Sequence, residues 1–379
     1  MARLTRALLM ALATAGSATA APAESTTTTT TQNATADGLH SLMVKAGKMY
    51  FGTAIDVNNF ADAKYMAIAD NKNEFGMMTA ENSMKWSSSE PNQGKFAFAS
   101  ADKVVERAKK NGQGMRCHNL IWYNQLPSYV TSGSWTNETL TAAMQTHITN
   151  VVEHFKGACY AWDVVNEAFG DGDGSYRQSV FLKNIGEAFI PLAFQAAAAA
   201  DPDTKLYFND FNLEISPDKA AATLALVKDL QARKIRIDGV GFQGHLVVGG
   251  TPTRDALATS LRQFTALGVE VAYTEVDIRF ESLPASSSGL EQQAQDYAAL
   301  VGSCLDVKEC VGVTVWQFSD KYNWVSSVFK GKGDACLWSA DYAKKPAYDA
   351  VIKVLQDAIS SSGTSKIPGF MMDEGVFFW

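Results

Sequence analysis

Past its first twenty residues, this chain of 379 residues has no apolar run long enough to span a bilayer, so no membrane association is expected of it. Positive charge is scarce too: 33 Lys and Arg stand against 40 Asp and Glu, without a basic cluster. That argues against nucleic acid or an anionic membrane as partner and favours a neutral ligand, or one without phosphates. No G-x-G-x-x-G or G-x-x-x-x-G-K follows any strand candidate, so phosphate cradles for nucleotides are not expected. There are five histidines, without H-x-x-x-H or H-x-H spacing, and five cysteines, without a C-x-x-C pair. A zinc site or a redox dithiol is therefore not expected. The stretch DGDGS from Asp171 opens like a calcium loop, but the glycine position is Tyr176 and the bidentate glutamate position is Leu182. Neither metal nor cofactor is expected.

The chain opens with Arg3 and Arg6, an apolar segment from Ala7 to Ala15, and small residues ending Ala18-Thr19-Ala20. This reads as a secretory signal peptide over residues 1–20, giving a secreted, extracellular protein that begins near Ala21. Its removal takes away two basic residues and leaves a charge of 31 − 40 = −9. Residues 21–38, which include ESTTTTTTQNATADG, form a threonine-rich flexible tail suited to O-glycosylation. Asn33-Ala34-Thr35 and Asn137-Glu138-Thr139 are N-glycosylation acceptors by pattern. Residues 360–379 form a C-terminal tail of unknown role, apolar in KIPGFMMDEGVFFW but broken by Asp373 and Glu374, unlike a lipid-anchor signal. Five cysteines are an odd number for an oxidising compartment. Cys304 and Cys310, in CLDVKEC, have a spacing that permits a small disulfide loop without requiring it. Cys117 and Cys159 read as small buried residues in or near strands, and Cys336 has no assigned place.

From residue 39 to 359 the composition is even, without repeat or linker, so one domain is expected. Within it, eight apolar runs alternate with helical patterns. They are YFGTAI from Tyr50, FGMMTA from Phe75, QGMRCHNLIW from Gln113, YAWDVVN from Tyr160, KLYFND from Lys205, GVGFQGH from Gly239, VEVAYTE from Val269 and GVTVWQF from Gly312. Between them lie stretches such as SADKVVERAKKNG, SVFLKNIGEAFIPLAFQAAAAA and SPDKAAATLALVKDLQARK. Eight strands alternating with helices predict an α/β fold, a (β/α)8 TIM barrel. A doubly wound open sheet is the alternative.

In WDVVNEAF, an apolar strand ends abruptly on Asn166 and Glu167, and VEVAYTEVDIRF ends similarly on Glu275 and Asp277. The C-terminal ends of barrel strands open onto the active site, so these polar residues belong to function. Strands four and seven face one another, and two carboxylates so placed suit glycoside hydrolysis. One acts protonated on the leaving oxygen while the other attacks the anomeric carbon. Other strand ends carry Glu81, Asn82, Lys85 and Trp86, then His118, Trp122 and Gln125, then Gln243 and His245, and last Trp316 and Trp324. Indoles stack on pyranose faces, while amides, Lys and His hydrogen-bond hydroxyls. Any single Trp or His among them reads equally well as core.

Taken together, WDVVNEAF, TEVDIR, TAENSMKW, CHNLIW, YFNDFN, DGVGFQGHL, VTVWQF and KKPAY resemble the family 10 glycoside hydrolases, secreted fungal-type endo-1,4-β-xylanases. The resemblance covers about residues 40–358. It implies that Glu167 is the general acid/base and Glu275 the nucleophile of a retaining double displacement, acting on xylan and xylo-oligosaccharides without a cofactor. It further implies that Asn166 binds the 2-hydroxyl at the −1 subsite and that His245 holds Glu275, oriented by Asp277. Glu81, Asn82, Lys85 and Gln125 would contact the −2 sugar, His118 and Trp122 the −1 region, and Gln243 the reaction centre. Trp316 and Trp324 would wall the glycone side. A Cys304–Cys310 disulfide and a monomeric state are implied as well. Departures from the family pattern are Tyr123 for the usual His, Asn124 for Ser, Phe211 for Tyr and Gln317 for Gly. They bear on subsite preference, above all at +1. Two rival readings are a mixed-specificity β-1,4-glycanase, if the glycone site admits a hydroxymethyl group, and a barrel that only binds polysaccharide.

Overall fold

Every strand pairing in the barrel is parallel, as apolar strands buried on both faces require. The computed structural model describes residues 37–363. The signal peptide, nearly all of the threonine tract with Asn33, and the chain beyond Gly363 lie outside the described residues. Among the described residues the strands are β1 (Tyr50–Ile55), β2 (Met77–Ala80), β3 (Gly114–Cys117), β4 (Ile121–Trp122), β5 (Ala161–Asn166), β6 (Lys205–Asp210), β7 (Gly239–Phe242), β8 (His245–Val247), β9 (Glu270–Arg279) and β10 (Cys310–Val315). Eight of them run in the order β10-β1-β2-β3-β5-β6-β7-β9, and β9 also pairs with β10. The sheet is thus closed as a (β/α)8 barrel. The short strands β4 and β8 extend β5 and β9 at the rim, with Trp122 opposite Asn166 and His245 opposite Asp277.

The helices are α1 (Leu39–Lys45), α2 (Ala63–Ala69), α3 (Trp86–Ser89), α4 (Ala99–Lys110), α5 (Ser128–Ser132), α6 (Asn137–His154), α7 (Val180–Ile185), α8 (Phe189–Ala200), α9 (Pro217–Ala232), α10 (Arg254–Thr265), α11 (Ser287–Leu305), α12 (Val325–Val328) and α13 (Pro346–Gly363). Helix α4 buries Ala101, Val104 and Ala108 on one stripe and ends on Arg107, Lys109 and Lys110, which suits its dipole. Helix α9 starts at Ser216, whose side chain accepts from Lys219 N, with Pro217 in the first helical position. The single helical pattern expected from Ser179 to Ala200 is broken into α7 and α8 at Gly186, with φ 78°. Helix α13 continues to Gly363, past the boundary at 359 that composition suggested. Asn137 is an exposed residue at the start of α6, and its amide donates to Ile185 O.

Aromatic rings fill the barrel interior where the facing strand has no side chain. A Cβ on Gly239 would lie 2.3 Å from the Tyr207 ring, and one on Gly241 would lie 2.1 Å from Asn209 Oδ1. Gly239, Gly241 and Gly244 do spell G-x-G-x-x-G, but within strand β7 and its bend, where they make room for side chains and not for a phosphate. Beneath the mouth the Arg116 guanidinium is ion-paired with Asp163, fully buried, and sits 4.2 Å from the Tyr207 ring. Such a pair is costly to break, since either partner alone would be an uncompensated buried charge.

Cys304 and Cys310 are bonded, joining the end of α11 to the start of β10. One expectation is corrected. Cys117 and Cys159 are buried, but they are also bonded to each other, with Cα atoms 5.7 Å apart. The cause is topological: β3 and β5 are neighbours, with Arg116 opposite Ala161, so the two thiols meet across a gap of 42 residues in sequence. Cys336 is a buried free thiol.

Candidate active site

Glu167 leaves β5 with φ 56°, in the left-handed region, which costs a side-chain-bearing residue about 1–2 kcal/mol. Hydrogen bonds hold this turn. Glu167 N donates to Asn209 O at 2.9 Å, Arg177 Nε donates to Glu167 O at 3.1 Å, and Arg177 Nη2 donates to Phe169 O at 3.0 Å. The strand therefore stops on a carboxylate because the chain turns out of the barrel there and leaves the side chain over the mouth. Arg177 is itself packed against aromatic rings, 4.7 Å from Tyr123 and 5.5 Å from Phe211.

Glu275 is not at a strand terminus as its motif suggested. It lies inside β9, which β8 extends at the rim, and its N–H donates to Gln243 O at 2.9 Å. The two carboxylates are joined through amides. Gln243 Nε2 donates to Glu167 Oε1 at 3.0 Å and to Asn166 Oδ1 at 3.2 Å. Asn166 Nδ2 donates to Glu167 Oε1 at 3.3 Å. Asn209 Nδ2 donates both to Asn166 Oδ1 and to Glu275 Oε1, each at 2.8 Å, while its own oxygen accepts from Thr274.

Basic side chains surround Glu275, whereas the hydrogen bonds to the Glu167 carboxylate come from amides. His245 Nε2 lies 3.3 Å from Glu275 Oε2, His118 Nδ1 lies 3.8 Å from Oε1, and the Lys85 ammonium is within electrostatic reach. Burial alone would raise the Glu275 carboxyl, but His118, His245 and Lys85 outweigh it and hold it down at about 2. Burial would likewise lower His245, yet Asp277 and Glu275 raise it to about 10. At neutral pH it is an imidazolium that donates from both nitrogens, Nδ1 to Asp277 Oδ1 at 2.9 Å. Asp277 is fixed in turn by Trp324 Nε1 at 2.7 Å.

The other predicted residues fall around this pair. Lys85 Nζ donates to Asn82 Oδ1 at 3.1 Å and sits 4.8 Å from the Trp122 ring and 6.0 Å from the Trp316 ring. Its burial lowers the ammonium, opposed by Glu275, Glu81 and Glu167. His118 meets Trp316 edge to face at 5.2 Å, and His245 meets Trp324 similarly at 5.2 Å. Gln125 stands apart. It is exposed on the loop after β4, and among the described residues no side-chain hydrogen bond ties it to the others, although its backbone oxygen accepts from Ser87 N. Trp86 lies under the site, stacked on His147 at 3.9 Å.

Sequence reasoning missed several supports. Asn209 is the next-to-last residue of β6, opposite Asn166 at the end of β5, and that polar strand end was the available signal. Asp56 accepts from the N–H groups of Asn82 and Ser83 at 2.7 and 2.8 Å and so sets the loop that carries Glu81 and Lys85. Asp163 accepts from His118 Nδ1 at 3.0 Å. Neither Asp56 nor Asp163 showed its role in sequence, because each acts on residues distant in the chain or one layer below the mouth.

A parallel barrel with two glutamates brought together through shared amides, one just past the end of β5 and one within β9, has the layout used by glycoside hydrolases. Residues 38–354 match the model of glycosyl hydrolase family 10, and the chain belongs to that family. It is 54% identical over 333 residues to endo-1,4-beta-xylanase 5 of Pyricularia oryzae, covering 88% of this chain and 82% of that one. It is also 54% identical over 318 residues to endo-1,4-beta-xylanase 1 of Humicola insolens, covering 84% and 74%. Among solved structures, the xylanase from Bispora sp. MEY-1 with xylobiose superposes with a TM-score of 0.82 at 39% identity, over 84% of this chain and 99% of that one.

Proposed function

We propose that this chain is a secreted endo-1,4-β-xylanase that hydrolyses internal β-1,4 bonds of xylan with retention of configuration. The observation that carries the reading is the unequal company of the two glutamates, in a chain 54% identical to proteins named endo-1,4-beta-xylanase. Glu275, which burial would raise but which His118, His245 and Lys85 hold low, is ionised at working pH and is the nucleophile. Glu167 accepts from Gln243 and Asn166 on Oε1, which leaves Oε2 to carry a proton to the leaving oxygen.

In the first step Glu275 attacks the anomeric carbon, the glycosidic bond breaks, and Glu167 gives its proton to the departing hydroxyl. The sugar is then an ester of Glu275, whose negative charge is gone. That makes it easier for Glu167 to remain ionised and to take a proton from water, which attacks the same carbon and releases Glu275. His245, charged throughout, keeps Glu275 oriented. Asn166 holds the 2-hydroxyl, where hydrogen bonds strengthen in the oxocarbenium-like transition state. Trp316 and Trp324 form walls beside xylose, and glucose would bring a hydroxymethyl group toward them.

The test is reducing-sugar release by the purified protein from xylan and, in parallel, from soluble cellulose, with the products sized by chromatography. Short xylo-oligosaccharides from xylan and little release from cellulose are expected. Equal release from both would replace this reading by a mixed β-1,4-glycanase, and none from either would leave a binding protein.

A further inference from the structure

Gln317 departs from local backbone rules without an exposed reason. It follows Trp316 at the end of β10 with φ 66°, where glycine would be free of strain, and it is fully buried. A side chain in that position costs about 1–2 kcal/mol of backbone energy, so its presence calls for a compensating contact. The amide provides one at each end. Gln317 Nε2 donates to Glu81 Oε2 at 2.5 Å, and Gln317 Oε1 accepts from the Tyr65 hydroxyl. Tyr65 is immobile in turn, stacked on Phe318 at 4.4 Å and edge-on to Tyr322 at 5.1 Å.

Glu81 depends on this contact. Among the described residues, Gln317 is the only hydrogen-bond partner recorded for its carboxylate. The contact spans 236 positions, so it forms only because β1, β2 and β10 are neighbours in the closed barrel. With Oε2 taken, Oε1 is left without a hydrogen-bond partner among the described residues, in the field of Lys85 and Glu275.

We propose that Gln317 is a positioning and specificity residue: it pins Oε2 of Glu81 from beneath the cleft, so that Oε1 accepts a hydroxyl of the −2 sugar. This rests on the xylanase reading above and on Glu81 as a −2 contact. A glycine at position 317 would leave Glu81 free to rotate among rotamers, and binding of the second glycone unit would pay that ordering cost.

The experiment is steady-state kinetics on two chromogenic substrates: an aryl β-xylobioside, whose glycone reaches −2, and an aryl β-xyloside, whose glycone stops at −1. Gln317→Gly should raise KM for the xylobioside by roughly 10-fold with kcat little changed, the signature of lost uniform binding. Its kcat/KM on the xyloside should match the parent. Tyr65→Phe should give the same selective loss, smaller in size. Gln317→Glu places a second carboxyl against Glu81, so its xylobioside defect should deepen as pH rises, whereas that of Gln317→Gly should not. Equal losses on both substrates, or no loss on either, would overturn the proposal while leaving the xylanase reading intact. A parent protein that cleaves neither substrate would overturn both.

Discussion

Nε2 of His245 lies 3.3 Å from Oε2 of Glu275, and the pair is charged on both sides. Glu275 is lowered from 4.5 to about 2, so it stabilises the fold fully above pH 4.5, and that contribution is lost as pH falls through 2. His245 is raised from 6.5 to about 10, so its contribution is complete below pH 6.5 and is lost as pH rises through 10. Both are complete between pH 4.5 and 6.5. Replacing His245 by Asn should lower kcat by about 10²-fold, as losing one preorganised donor does, and should move the acid limb of the pH–rate profile upward. The Tm difference between parent and variant should be largest in that window and should shrink from pH 6.5 to 10. A constant difference would refute the charged pair.

The two glutamates should fail differently. Glu275→Gln should cost at least about 10⁴-fold on every substrate, because no covalent intermediate can form. Glu167→Ala should cost about 10³-fold on xylan. On an aryl xylobioside with an acidic phenol the first step needs no proton, so the loss should be smaller and a burst of phenol should precede slow turnover. Stopped-flow release of the phenol checks both, and a burst from the Glu275 variant would reverse the assignment.

The two disulfides should differ in worth. Loop-closure entropy gives about 4 kcal/mol for the 42-residue span of Cys117–Cys159 and about 2 kcal/mol for the 6-residue span of Cys304–Cys310. Paired replacement by alanine should therefore lower the denaturation midpoint more at the first than at the second, by urea titration under oxidising conditions. The reverse order would show that packing around α11, and not chain entropy, decides.

Glu214, buried on the loop after β6, has its acid raised from 4.5 to about 7 by burial, with the backbone N–H groups of Glu214 and Gly244 and the charge of His245 opposing. A raised acid costs stability as pH climbs through that interval. Glu214→Gln should remove a pH-dependent penalty on the order of 3 kcal/mol. Thermal unfolding of both proteins at pH 5 and pH 8 should show the parent losing more Tm than the variant, and parallel losses would count against the buried acid.

How far the sequence discloses the site depends on where each residue's partner lies. Glu167, Asn166 and His245 were legible because an apolar strand that gives way to polar residues marks a barrel rim, and Glu275 because its strand turns polar there, although β9 runs on to Arg279. Alternation of strand and helix was legible for the same local reason. The Cys117–Cys159 bond was not, since it follows from which strands are adjacent after closure. Asn209 was missed because its partners Asn166 and Glu275 lie 43 and 66 positions away, and Arg177 because it acts on the carbonyls of Glu167 and Phe169 across a loop whose turn the sequence does not reveal. The runs QGMRCHNLIW and GVGFQGH read as single strands, and each splits into two, the second at Gly244 with φ 75°. Apolar content does not register a bend that tertiary pairing imposes.

The pairing of β1 with β10, Tyr50 opposite Gly312, has a consequence for biosynthesis. A ribosome releases the chain from its N-terminus, and the partner of the first strand emerges 262 residues later. At typical synthesis rates that is a wait of roughly 13–50 s during which β1 has an open edge. Helix α1 faces the same delay, because it packs on α13, the last helix among the described residues. For that interval the nascent barrel is an incomplete sheet whose hydrogen-bonding edge must be shielded by chaperones or by its own helices. Losing the last fifty residues would leave β10 to close the barrel but would deprive α1 of α13 permanently.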